Sequence, residues 1–234
     1  MSTLHILLLI VLVLASASTG GLARTLHHNS QLRVQHDRAL HRLSHDPLTG
    51  LRTRTVLLAD LAQLHAAGQP ILLAIVNVNQ FAQINRLCGY RGGDQALTLL
   101  AGVTQHHAAT VGGAAYRLGR DEMAVLWPDL TVADSDTLAA PLLAALHQPV
   151  EVVLSSHSID VRVTASMGMA AITGRGAPPG PLLLDRANTA LQVAKRTARG
   201  GAVLWQPGLP RLQRRRTVTS SVDEQDEPTN GRNR

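Results

Sequence analysis

The chain has 234 residues, 45% of them hydrophobic and 2% aromatic, a length that suits one Leu-, Val-, Ile- and Ala-packed domain with appendages or two small domains. Its net charge of +6 does not describe a nucleic-acid groove: residues 46–206 carry twelve bases against eleven acids, and the excess sits in 24–45 and 207–234. Basic flanks suit a membrane-proximal segment and a tail, and the lone Cys88 excludes an intrachain disulfide and a cysteine-based zinc site.

In chain order, Leu4 to Ala17 is almost continuously apolar, and no Lys, Arg, Asp or Glu occurs before Arg24. At ~1.5 Å per residue, residues 4–23 just span a ~30 Å hydrocarbon core. A cleaved signal peptide is the rival reading, with Ala15-Ser16-Ala17 as its A-x-A-like site. A single-span anchor is favoured, because Arg24, Arg33, Arg38 and Arg42 follow the run and no base precedes it. The positive-inside rule then sets the remainder in the cytoplasm. The expected organisation is an anchor over 1–23, a helical linker over 24–45, a folded domain over 46–206 and a disordered tail over 207–234. The linker lacks Pro and Gly, and Leu26, Arg33 and Leu40 are spaced as heptads. The seam is short and broken, so a stalk that pairs two protomers and a polar connector helix both fit it.

Asp46-Pro47 marks a boundary, since Pro disfavours a helical residue before it. Val56, Leu57, Leu61 and Leu64 predict a helix over 52–67 that closes near Gly68, and Pro70 to Val76 reads as a strand buried on both faces. Helices are expected from about Gln80 and from about Asp94 to His107, then two strands, Ala114 to Leu118 and Met123 to Trp127. A loop over Pro128 to Ser135 leads to a helix from Asp136 to His147. A second hairpin, Val150 to Leu154 with Ile159 to Thr164, is expected to continue into Ser166 to Ile172. The Gly/Pro cluster Gly174 to Pro181 is a loop, Leu182 to Ala198 a helix ended by Gly200-Gly201, and Ala202 to Trp205 a closing strand. The predicted fold class is α/β, a mixed central sheet flanked by helices and preceded by one transmembrane helix.

The first hairpin carries Arg117-Leu118-Gly119-Arg120-Asp121-Glu122 at its tip. Gly119 offers a positive φ for the reversal. Two carboxylates held on rigid strands suit Mg²⁺ against a phosphate, although a solvated surface turn has the same composition.

Five segments in order extend this: Asp46-Pro47-Leu48-Thr49-Gly50-Leu51, Asn77-Val78-Asn79-Gln80-Phe81-Ala82-Gln83-Ile84-Asn85, Gly89-Tyr90-Arg91-Gly92-Gly93-Asp94, the acidic hairpin, and Ala194-Lys195-Arg196-Thr197-Ala198-Arg199. Together, from Asp46 to Trp205, they resemble the GGDEF domain of diguanylate cyclases, whose fold is similar to the nucleotidyl cyclase and polymerase palm. The resemblance implies GTP as ligand, Mg²⁺ as cofactor, and two protomers facing each other to condense two GTP into cyclic di-GMP. Chemistry of that kind is mostly positioning and charge stabilisation.

It also implies roles. Asp121 takes a metal-ligand position, with Val78 and Glu122 also at the metal and Glu122 in the catalytic position. Asn85 and Asp94 match the residues that read guanine, and Lys195 with Arg199 the pair that holds phosphates one helical turn apart. Phe81, with Gln80 and Ala82, offers backbone N–H groups to phosphate. Without the resemblance, Asn85 and Asp94 read as helix caps, and Lys195 and Arg199 as a solvated last turn.

Two positions depart from the family. Asn77 replaces the family Asp at the metal, removing a negative charge. Arg120 replaces the second signature Gly, adding roughly 1–2 kcal/mol of strain if φ is positive there. Its side chain either obstructs the nucleotide or serves as a phosphate ligand. Thr110 and Gly113 stand where many members carry an inhibitory product site. The expected function is a GTP-binding or interaction module with impaired cyclase activity. A working cyclase and a dimerisation scaffold are the alternatives.

Overall fold

Eight consecutive buried residues make β2 (Ile71–Val78) a strand that needs cover on both faces. In the computed structural model, which describes residues 43–155, 157–173, 180–197 and 199–210, it lies at the centre of a six-stranded sheet. Its antiparallel neighbours are β4 (Glu122–Pro128) and β7 (Ala165–Ile172). Outward from β4 come β3 (Ala114–Arg117), antiparallel to it, and β1 (Arg52–Thr53), parallel to β3; β8 (Ala202–Leu204) runs parallel to β7. The sheet is therefore mixed and flanked by helices, as expected.

The period of two along β2 divides the core. Leu72, Ala74, Val76 and Val78 pack in one cluster with Ile84, Leu97 and Leu100 of α2 (Phe81–Ala109) and Leu142 and Leu146 of α3 (Ser135–Leu146). Ile71, Leu73 and Ile75 face Leu57 and Leu61 of α1 (Arg54–Ala67) and Leu183, Ala187 and Leu191 of α4 (Gly180–Thr197). Contact between α4 and β7 is backbone to backbone: a Cβ on Gly168 would lie 2.2 Å from the Ala187 carbonyl oxygen and 2.1 Å from the Leu191 nitrogen. That seating fixes where Lys195 emerges.

Three expectations about elements change. The two helices expected from Gln80 and Asp94 are both present as the two parts of α2, joined at the non-helical Gly89 (φ 71°, ψ 173°), but the second starts earlier than expected. The second part already contains Gly92 and Gly93, where missing side chains let the two parts approach closely. The second hairpin does not continue into the main sheet: β5 (Val150–Val153) and β6 (Ser158–Val161) form their own two-stranded sheet. Strand β2 also runs two residues further than expected, so Asn77 and Val78 belong to the sheet. The anchor over 1–23, most of the linker and the tail beyond 210 lie outside the described residues. Among the described residues, no helix is long and apolar enough to cross a membrane.

Candidate functional site

The end of β2, the β3–β4 turn, the start of α2 and the end of α4 meet at one edge of the sheet. Asn77 lies opposite Glu122 on one side and Ser166 on the other. It is buried, with 5% exposure, and its Nδ2 donates to the Asp121 carbonyl at 3.3 Å. The same carbonyl accepts the Val78 N–H at 3.0 Å. Because a carbonyl oxygen only accepts, the Asn77 amide must present its nitrogen there.

The turn closes with the N–H groups of Leu118 and Gly119 on the Glu122 carbonyl, at 3.0 and 3.3 Å. Neither Gly119 nor Arg120 takes a positive φ; among described non-glycine residues only Gln80 and Asp129 do. The strain expected at Arg120 is therefore absent, because this turn closes through ordinary L-residue conformations. Arg120 is exposed, and lines a cavity of about 300 Å³ with Asp46, Thr53, Arg117, Leu118 and Gly119.

Arg117 is hydrogen-bonded to the turn. Its Nη2 donates to the Arg120 carbonyl, while its Nη1 is buried without a hydrogen-bond partner among the described residues. Burial lowers the guanidinium pKa from its ordinary value, opposed by the fields of Asp46, Asp121 and Asp94. Across the site, Lys195 Nζ lies 3.9 Å from Glu122 Oε1.

Asn85 and Asp94 are both inside α2, so neither is a helix cap. A Cβ on Gly93 would lie 1.8 Å from Asn85 Oδ1 and 3.5 Å from Phe81 Cζ, so Gly93, Asn85 and Phe81 form one patch. Asp94 is exposed and lines a cavity of about 520 Å³ with Leu48, Arg91, Gln95, Thr98, Leu99, Glu151 and Val153. Gln80 precedes α2 at φ 55° and its side chain makes no cap hydrogen bond to the first N–H groups of this helix.

Residues 43–201 match the family described as "Diguanylate cyclase, GGDEF domain". The chain belongs to the GGDEF domain family. Among curated relatives, Diguanylate cyclase DgcP of Pseudomonas aeruginosa is 31% identical over 73% of this chain and 25% of its own length. Diguanylate cyclase TpbB of the same species is 29% identical over 83% of this chain and 45% of its own. The chain thus spans less than half the length of these relatives. Among solved structures, the coiled coil and GGDEF domain of DgcB from Caulobacter crescentus, in complex with c-di-GMP, aligns at TM-score 0.68 and 24% identity, covering 78% of this chain and 96% of that one. Diguanylate cyclase SiaD of P. aeruginosa, in complex with its activator SiaC, aligns at TM-score 0.63 and 27% identity, covering 78% and 70%.

The GGDEF fold of this chain thus brings Asn77, Val78, Asp121, Glu122 and Lys195 together, and Asn85 beside Phe81. Arg199 differs from expectation: α4 ends at Thr197, and Arg199 is exposed in the turn that follows. Arg199 thus lies beyond the helix that carries Lys195, and Gly200 (φ 88°) follows it before β8. Sequence reasoning also missed a polar clip. Asn79 donates to Thr164 Oγ1 at 3.1 Å and accepts from Ser166 Oγ at 3.0 Å, and Ser166 Oγ accepts the Gly200 N–H at 3.2 Å. It ties the start of α2 to the end of α4. Asn79 lay in the quoted motif, but buried Ser166 had no local signal.

Asp121 and Glu122 are the two carboxylates available to Mg²⁺, which is ordinarily held by one or two carboxylates together with substrate phosphate. Asn77 turns a donor to the turn, Glu122 is paired with Lys195, and no cluster of three or more His, Cys, Asp or Glu suited to a metal occurs among the described residues.

Proposed function

We propose that this GGDEF protein is a GTP-binding or interaction module in cyclic di-GMP signalling, impaired as a diguanylate cyclase and held at the cytoplasmic face of a membrane by residues 4–23. The observation that carries this reading is the Asn77 amide bonded to the Asp121 carbonyl at the position where the family uses a metal carboxylate. Asn85 beside Gly93, Asp94 and Lys195 support retained nucleotide binding: an amide and a carboxylate for a guanine edge, an ammonium for phosphate. Phe81 and Ala82 add N–H groups at a helix start that Gln80 does not cap.

The retained pair Asp121 and Glu122 favours the alternative, an active cyclase in which two protomers face each other with Mg²⁺. In that case Asp121, Glu122, Asn77 and the Val78 backbone hold the ion, which neutralises phosphate charge, and Asn85 and Asp94 orient the base. Calorimetry with GTP on the full chain in detergent, with cyclic di-GMP assayed in the same sample, separates the readings. Binding without product is expected. Product at a steady rate supports the cyclase, and absence of binding supports a scaffold.

A further inference from the structure

The β5–β6 hairpin carries a charge arrangement that its own folding does not favour. Its register sets Glu151 directly opposite Asp160, and both are exposed. Like charges facing each other across two strands weaken the pairing. Val153, on the same face of β5 as Glu151, is 61% exposed. Gln95 of α2 fixes this strand: its Nε2 donates to the Val153 carbonyl and its Oε1 accepts the Val153 N–H, both at 3.0 Å. Between hairpin and helix lies the cavity of about 520 Å³. Leu48 and Leu99, 38% and 45% exposed, line it together with Val153, and Asp94 and Glu151 set two carboxylates there against the single cation Arg91. Exposed aliphatic side chains with an excess of carboxylates fit a basic segment that itself carries an aliphatic side chain.

We propose that this groove docks residues 211–216 of the same chain, Arg211-Leu212-Gln213-Arg214-Arg215-Arg216. Leu212 packs against Leu48, Leu99 and Val153, and the arginines meet Glu151, Asp160 and Asp94. Four of these six residues are cationic, so charge favours the pairing. Reach permits it as well. Gly200, where a Cβ would lie 3.6 Å from His147 and 3.9 Å from Thr164, stands beside the two segments that flank the hairpin. At ~3.3 Å per residue, the chain from there to Leu212 extends by up to about 40 Å. Because Asp94 lines the groove, a docked tail competes with nucleotide; that consequence alone rests on the nucleotide-binding reading above.

The test is trypsin cleavage of the full chain in detergent, without GTP, with cuts at Arg211 and Arg214 to Arg216 followed by mass spectrometry. Docking predicts slow cleavage there in the wild-type chain and cleavage about tenfold faster in Glu151→Lys. That substitution replaces a like-charge pair with Asp160 by an opposite-charge one, so the melting temperature should hold or rise while the tail is released. Faster cleavage with a lowered melting temperature, or equal rates in both proteins, overturns the proposal. Val153→Cys combined with Leu212→Cys gives a second readout: oxidation with diamide should form a disulfide within one molecule, Cys88 being buried. A disulfide that forms only between molecules, or none, counts against it. Slow cleavage that requires phosphatidylserine vesicles and does not respond to Glu151→Lys assigns the arginines to lipid and overturns it too. These readouts need no nucleotide, so their failure is distinct from a failure to bind GTP.

Discussion

Lys195 Nζ lies 3.9 Å from Glu122 Oε1, joining the last turn of α4 to the first residue of β4. Both side chains are about a third exposed, at 29% and 34%, so solvent screens the pair and its contribution to folding is small. Lys195→Ala is expected to change stability by less than about 1 kcal/mol. The same substitution should weaken GTP binding about tenfold, since a charge-assisted phosphate contact is lost. Urea unfolding and calorimetry on one preparation check both halves.

Asn77→Ala removes one of two donors from the Asp121 carbonyl, leaving the Val78 N–H. The expected cost is about 1 kcal/mol of stability, measured by urea unfolding. Asn77→Asp combined with Arg120→Gly should restore some cyclic di-GMP production, because a third carboxylate and an unobstructed turn then return together. No product from the double variant, with folding intact, would place the impairment elsewhere.

Gly93→Ala sets a methyl group 1.8 Å from Asn85 Oδ1 and must displace that amide. GTP affinity is expected to fall about tenfold or more, as a base contact is lost. Gly102→Ala, in the same helix and with nothing within 4 Å of the new Cβ, should instead stabilise the fold by roughly 0.5–1 kcal/mol. Thermal unfolding of the two variants, with and without GTP, gives opposite signs if the packing is as described.

Gly168→Ala is expected to be severely destabilising, by about 3 kcal/mol, because its methyl meets the α4 backbone rather than a side chain that can move. Loss of soluble protein, or a melting temperature many degrees lower, is the outcome to look for.

Tyr116 ties β3 to α1 by donating to Asp60 Oδ2 at 2.6 Å, and Arg52 Nη1 reaches the same oxygen at 3.2 Å. Burial, then the bond to Asp60, raises the Tyr116 pKa above its ordinary value. The folded state therefore keeps a proton that the unfolded chain loses near pH 10, so this contribution is complete below about pH 10 and declines above it. Stability should fall by up to about 1.4 kcal/mol per pH unit there, and Tyr116→Phe should flatten that slope. Urea unfolding between pH 8 and about 11.5 reads it out.

Much of this was legible from residue order. The apolar run at 70–76 predicted a doubly buried strand, and the resemblance carried by the five ordered motifs implied the family. Element ends were less legible. The second helix was expected from about Asp94, yet it follows the break at Gly89 and already takes in Gly92 and Gly93, where a Cβ would meet Cys88 and Asn85. The positive φ anticipated at Gly119 and the strain at Arg120 failed for a related reason: the identity of a turn residue permits a conformation without requiring it.

The sequence by itself determined the two-sided burial of β2, through an unbroken apolar run, and the family, through five ordered motifs, against whose pattern Asn77 and Arg120 are departures. Only the tertiary structure decided where those residues sit and what they touch. The antiparallel register set Asn77 opposite Glu122, which aimed its amide at the Asp121 carbonyl, and the backbone contact at Gly168 set α4 where Lys195 reaches Glu122. Such partners are far apart in the chain, and local periodicity carries no record of which long-range pair will meet once the two faces of the sheet are packed.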